Sequence, residues 1–231
     1  MSTGVTFTLN GFRRGFLASV PLGMGAATFG ALFGFLADQH GLSGLEALLM
    51  SGLVFAGASQ LVALELWSTE SSVLLISLAA AFVNLRFMMM AAAMRPWLAP
   101  LGPARAYGSL LLLVDMNFAM SLADMHKGGK DAAYFLGSGV LLWLVWVAST
   151  GFGHAFGHLL RDPNALGLDF LVPACFLAMA VPLYQHKRSL LPWAVAAGAS
   201  CLAWLLLPGA SYLIVGALAG ALTGALRDER R

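Results

Sequence analysis

The stretch from Val73 to Met94 reads VLLISLAAAFVNLRFMMMAAAM, a run of apolar and small residues interrupted only by Asn84 and Arg86. At ~1.5 Å per residue a helix of this length reaches about 33 Å, close to the thickness of a bilayer's hydrocarbon core. Runs of the same kind recur on both sides of it: Gly15 to Ala37, Leu45 to Trp67, Ala106 to Leu122, Ala132 to Phe156, Leu168 to Tyr184, Leu190 to Leu207 and Gly209 to Leu226. The last two are separable only at Pro208 and Gly209, where a tight turn is expected because the joined run is far too long for one crossing. With that turn there are eight spans, without it seven. The expected fold is all-α: a polytopic transmembrane helix bundle of about eight spans with interrupted helices, a single integral membrane domain over residues 1–231.

Composition agrees. Hydrophobic residues make up 59% of the chain and charged residues 10%, against roughly 25% charged in a soluble domain, and mean hydropathy is +0.81. Thirteen basic against eleven acidic residues leave a net charge of +2, with no Lys/Arg run long enough to serve a nucleic acid. Cys175 and Cys201 both lie in apolar runs, which suits neither a disulfide framework nor a thiolate metal site.

Orientation follows from the Lys/Arg bias of short loops. A cytoplasmic N-terminus assigns Arg13, Arg14, Lys127, Lys130, Lys187, Arg188, Arg227, Arg230 and Arg231 to the inside and Arg95, Arg105 and Arg161 to the outside, with Arg86 inside a span. The bias favours both termini in the cytoplasm, and the loop holding Arg95 and Arg105 fits it least. Arg13 and Arg14 before an apolar run also loosely resemble a twin-arginine export signal, but the run is of full spanning length and is read as the first span with its basic flank.

Small residues and prolines mark packing and a site. Gly216, Gly220 and Gly224 form a stripe that lets another helix approach closely, either within the chain or in a homo- or hetero-oligomer, and Gly30 with Gly34 is a shorter version. Span one holds Pro21, Gly23 and Gly25, and span six holds Pro173 and Pro182. Pro21 and Pro173 each lie about five to six residues into spans of opposite direction. Interrupted helices in matching positions point to a midplane transport site, though no residue-by-residue repeat relates the two halves; ordinary kinks are the alternative.

An ionisable group in hydrocarbon costs about 2.5–3.5 kcal/mol or more, so it asks for a function. Arg86 in span three and Asp115 in span four lie at matching depths and can pair, either permanently or as a pair that opens to a substrate carboxylate or a proton. Asn84 and Asn117 add amides nearby, and Ser59 and Gln60 follow the small residues Ala56, Gly57 and Ala58. Glu65 is placed at an interface. His154, His158 and Asp162 share a helical face, a spacing that can hold a metal, but no convincing third ligand accompanies the histidines.

The segments Gly15 to Gly23, Gly41 to Ala47, Met50-Ser51 and Phe55 to Gln60 resemble the AzlC family of branched-chain amino acid permeases. The Val83 to Arg86 segment with its methionine-rich sequel and Asp115 beside Asn117 and Phe118 continue the resemblance in order over essentially the whole chain. Phe87 stands where many relatives would carry histidine. The resemblance implies an exporter of valine, leucine and isoleucine, with methionine as a further candidate, in the bacterial inner membrane. It also implies a small hydrophobic AzlD-like partner subunit and drive from protons. No Walker phosphate loop is present in the sequence, which favours secondary transport without a cofactor over an ATP-driven pump. The expected site comprises Pro21, Gly23, Ser59, Gln60, Asn84, Arg86, Asp115, Asn117 and Pro173, with no metal. The competing readings are an intramembrane metal enzyme built on His154 and His158, and a non-transporting membrane scaffold.

Overall fold

The computed structural model describes residues 4–67, 72–157, 174, 177, 190–206 and 211–228. Among them the chain is helical: α1 Leu9–Ala18, α2 Val20–Gln39, α3 Gly44–Val54, α4 Gly57–Trp67, α5 Val73–Ala93, α6 Arg95–Leu98, α7 Pro103–Leu110, α8 Asp115–His126, α9 Ala133–Gly157, α10 Leu190–Leu206 and α11 Ser211–Asp228. They form two compact units, one of Met1–Gln60 with Val83–Arg161 and one of Leu61–Phe82 with Asp162–Arg231. Three of the described helices, α2, α5 and α9, are long and apolar enough to cross a membrane. Pro173, Pro182, His158, Asp162, Cys175 and the turn at Pro208-Gly209 lie outside the described residues.

The first unit is built on α9. Its start and that of α1 are tied side by side by one carboxylate: Asp131 Oδ1 accepts from the amides of Thr8 and Ala133, each at 3.1 Å. Thr8 in turn donates its hydroxyl to Asp131 Oδ2 and caps α1 through Gly11 N–H. Thr6 bridges the same loop, donating to the Lys130 carbonyl at 2.8 Å and accepting from Ala132 N–H at 2.9 Å. From this shared start α1, α2 and α9 run in the same direction, as spans one and five of an alternating bundle should.

Glycine sets their separation. A Cβ on Gly15, Gly34, Gly137 or Gly153 would lie 1.8–2.0 Å from a backbone carbonyl of the facing helix, an approach that no larger residue permits. Helix association in lipid gains from such close backbone packing, because the hydrophobic effect does not drive it. The seam rests on one pattern present in both helices, FGALFG at 29–34 and FGHAFG at 152–157. The interruption of span one is mild. Pro21, second residue of α2, has no N–H to offer, yet Ser19 between α1 and α2 keeps helical dihedrals and bonds to the Gly15 carbonyl.

The path of span four departs from the expected one. Trp97 donates its indole N–H to the Gly129 carbonyl at 3.0 Å, and the Arg105 guanidinium lies 5.4 Å from the Phe7 ring centroid. Arg14 pairs with Asp124 at 3.0 Å. Met94, Trp97, Leu98, Leu113, Ala132 and Phe135 share one apolar cluster. The end of α5, the α6–α7 connection and the end of α8 therefore sit at the same end as the N-terminus. The segment between Gly102 and Gly129 penetrates part-way and returns, because α7 and α8 are too short, at about 12 and 18 Å, for either to cross. Arg95 and Arg105, expected outside, join Arg13, Arg14, Lys127 and Lys130. Every described Lys or Arg of this unit other than Arg86 lies at that end, which the positive-inside bias makes cytoplasmic.

In the second unit α10 and α11 pack antiparallel. A Cβ on Gly216 would meet Ser200 Oγ and one on Gly220 would meet Ala196 Cβ at 2.9 Å, whereas no described residue comes within 4 Å of one on Gly224. Contact within the chain thus occupies two of the three stripe positions.

Gly153→Ala, forcing a Cβ against Ala31, is expected to cost about 1–3 kcal/mol by overpacking, while Gly102→Ala, with nothing within 4 Å, leaves the melting temperature in detergent unchanged. A second check concerns the path of span four. In a chain with Cys175 and Cys201 replaced by serine, Ala104→Cys should react with an impermeant thiol reagent only from the cytoplasmic face.

Candidate functional site

Two helix breaks, entering from opposite ends, meet half-way along α9. The first follows α3, which starts at the far end with a capping box: Ser43 Oγ accepts from Glu46 N–H, and Glu46 Oε2 accepts from Ser43 N–H at 2.8 Å. His154 donates from Nε2 to the neighbouring Leu42 carbonyl at 2.8 Å. α3 then descends against α9 through a Ser51–Thr150 hydroxyl bond of 2.8 Å and the Trp143 indole N–H to the Gly52 carbonyl at 3.0 Å. It stops at Phe55, whose φ of 46° is the only positive value for a non-glycine among the described residues. Such a conformation costs of order 1–3 kcal/mol and persists only where the surroundings fix it. Here the Phe55 ring packs edge-on to Trp146 at 6.4 Å.

The chain turns there and α4 begins at Gly57. Gln60, fully buried, reaches back over the break to donate from Nε2 to Ser51 Oγ at 3.3 Å, leaving its Oε1 buried without a partner. Ser59 Oγ donates to the Ala56 carbonyl at 2.9 Å, so it seals the turn.

The second break separates α7 from α8. Val114 is extended (φ −138°, ψ 166°), and the buried Asn117 holds the turn from both sides: its Oδ1 accepts from Val114 N–H at 2.8 Å and its Nδ2 donates to the Leu112 carbonyl at 2.7 Å. Close behind stands Gly139 of α9, where a Cβ would lie 2.8 Å from Leu112 and 2.9 Å from Asn117 Nδ2.

Where the tips meet lies an apolar cavity of about 50 Å³, lined by Phe55 and Gly57 of one tip, Val114 and Met116 of the other, and Ala26, Leu142 and Trp146 behind. Asp115, between Val114 and Met116, pairs through Oδ2 with Arg86 Nη2 at 3.0 Å. As the first residue of α8 it also sits at the positive end of that helix dipole. The Arg86 guanidinium lies 5.2 Å from the Phe87 ring centroid, which fills the place of the histidine expected there. The pair is level as expected, but the depth runs from the cytoplasmic end, about 12 Å for Arg86 below Met94. Arg86 Nε and Asn84 Oδ1 are buried without hydrogen-bond partners.

The expected site residues thus divide. Arg86 and Asp115 form the ion pair, Ser59, Gln60 and Asn117 build the two breaks, and Asn84 lies two residues from Arg86. Pro21 is exposed and Gly23, whose N–H bonds to the Ser19 carbonyl at 2.9 Å, packs on Leu141; the backbone there stays bonded, and of the two only Gly23 belongs to the α2–α9 contact. Pro173 lies outside the described residues. Among the described residues no group of three or more His, Cys, Asp or Glu could hold a metal. Ser51 and Phe55, noted in the sequence only for the family resemblance, and Trp146 and Thr150 were not among the expected site residues. The last two, four apart in an apolar run, were legible as one helical face but not as the wall behind a break.

Half-membrane helices meeting at a small apolar cavity beside an intramembrane ion pair define a multi-pass helical membrane protein of the transporter kind. The family model described as AzlC protein matches residues 21–160, and the chain belongs to the AzlC family. It is 34% identical to a membrane protein of Archaeoglobus fulgidus over 93% of each chain. It is 26% identical to inner membrane protein YgaZ of Escherichia coli over 81% of this chain and 79% of that one. With the branched-chain amino acid transport protein AzlC of Bacillus subtilis the identity is 24%, over 90% of this chain and 82% of the relative. No solved structure matches. The chain is a multi-pass inner-membrane protein with a role in membrane transport.

Asn117→Leu strips the second break of both backbone contacts. Orphaned buried groups cost about 1–3 kcal/mol, so the melting temperature in detergent should fall clearly, with Asn117→Asp falling less because a carboxylate still accepts from Val114 N–H.

Proposed function

We propose that this chain is a secondary transporter that exports branched-chain amino acids in exchange for protons, acting as one integral membrane domain with a small AzlD-like subunit. The observation that carries the reading is the meeting of two opposed helix breaks beside the Arg86–Asp115 pair. Discontinuous helices present first-turn amides to an anionic group and place a site near the midplane.

The unsatisfied groups describe the ligand by complement. Arg86 carries an unpartnered donor, and Gln60 Oε1 and Asn84 Oδ1 are unpartnered acceptors. A zwitterionic amino acid supplies both partners. In this mechanism it separates the ion pair: its carboxylate takes the Arg86 guanidinium, aided by the α8 N-terminus, and its ammonium takes the Asp115 carboxylate, oriented by Gln60 and Asn84. While the substrate is bound each half-buried charge keeps an opposite partner, which limits the penalty of an unpaired charge in low dielectric. A proton on Asp115 removes the charge that holds the ammonium. Substrate and proton therefore compete for one carboxylate, and competition at a single site is exchange. The apolar cavity on the other side of Asp115 receives the side chain. The B. subtilis relative's description as a branched-chain amino acid transport protein supports this substrate class.

The decisive experiment is efflux of preloaded valine from cells lacking their own exporters. Arg86→Ala should lower efflux at least tenfold, the equivalent of about 1.4 kcal/mol from a charge-assisted contact worth about 1.5–3 kcal/mol, while the protein still reaches the membrane. Wild-type efflux in that variant would remove Arg86 from the site. Asp115→Asn should abolish the response of valine flux to an imposed pH gradient.

A further inference from the structure

We propose that the cavity between the two tips is a side-chain gauge, in which Gly57 and Trp146 together fix the size of substrate that is carried; this rests on the transport reading above. At about 50 Å³ the pocket is about a third of the roughly 150 Å³ that accommodates benzene, and it is partly open. That suits a branched group of a few carbons better than an aromatic ring. The lining is apolar, so the cavity has little to offer a water molecule and much to offer methyl groups.

Its walls differ in how they are fixed. Met116 is a flexible side chain that can yield. Trp146 is 8% exposed and held by Phe55 edge-on at 6.4 Å, while its backbone carbonyl accepts from Ser149 Oγ at 3.0 Å and Thr150 Oγ1 at 2.9 Å. Gly57 lies directly against that indole: a Cβ there would come within 2.7 Å of Cη2, 3.3 Å of Cζ2 and 3.5 Å of Cζ3. Adding one methyl at position 57 must therefore move the ring or the tip, and either changes the volume between them. The indole N–H is buried with no partner, so Trp146 is retained for its bulk at the cost of an orphaned donor, and phenylalanine in its place removes that orphan as it widens the space. The charged end of the substrate lies on the other side of Asp115, so the size of this cavity acts on the side chain alone.

The test is competitive efflux of alanine, valine, leucine and phenylalanine from cells preloaded with an equal mixture, comparing wild type, Gly57→Ala, Trp146→Phe and the double variant. One methylene in an apolar pocket is worth about 10–200-fold in selectivity. Gly57→Ala should lower leucine relative to alanine at least tenfold. Trp146→Phe should raise phenylalanine relative to valine by a similar factor, and the double variant should return towards the wild-type order, since each change offsets the other in one space. Flux in wild type and Trp146→Phe with unchanged ratios would overturn the gauge and leave the transport reading standing. If wild type, present in the membrane with its small partner, moves none of the four, the transport reading fails and the gauge with it.

Discussion

A backbone amide or carbonyl that leaves its helix within hydrocarbon has no water to turn to, and each such group left bare costs several kcal/mol. Among the described residues the first unit leaves its helices twice at that depth, at residues 55–56 and 111–114, and its architecture follows from satisfying those groups. Asn117 ties off one break through Val114 and Leu112, Ser59 bonds to the Ala56 carbonyl at the other, where Gln60 bridges to the Ser51 hydroxyl, and α9 is the wall against which both are pressed. That wall can stand close only because glycines in α2 and α9 remove the Cβ atoms that would meet the facing backbone.

The same constraint explains why the polar residues of the interior fall into two kinds. Ser51, Ser59, Asn117 and Thr150 are fully or almost fully buried and spend their hydrogen bonds on the protein, so they define where the breaks lie. Arg86, Asn84 and Gln60 each keep a buried donor or acceptor unspent. Two of these, Arg86 Nε and Asn84 Oδ1, lie within two residues of each other on α5 beside the ion pair, while Ser109 Oγ, Ser121 Oγ and the Trp146 indole N–H are left open elsewhere in the unit.

Much of this was legible in the residues. The helical membrane class follows from apolar runs of spanning length, and Arg86 with Asp115 stands out because charge is costly in lipid. Their pairing follows from matching depth along adjacent runs. The stripe at Gly216 and Gly220 follows from spacing, and its partner proved to be α10 of the same chain. The path of span four was not legible. Ala106 to Leu122 has the length of a crossing, and hydropathy does not distinguish a helix that traverses from a pair that reaches the middle and returns, since both are apolar. The surplus of positive charge assigned outside, at Arg95 and Arg105, was the trace of that difference.

The sequence by itself determined the solvent of this protein, its helical class, its family resemblance and the identity of the charged pair, because those depend on composition, period and order along one chain. Tertiary structure decided which polar residues are spent and which are left open, and it decided that two tips from opposite ends line one cavity. It also decided that Gly57, noted as a small residue, and Trp146 stand face to face. These depend on distances between segments far apart in sequence, fixed by backbone contacts at glycine and by where a left-handed residue such as Phe55 redirects the chain.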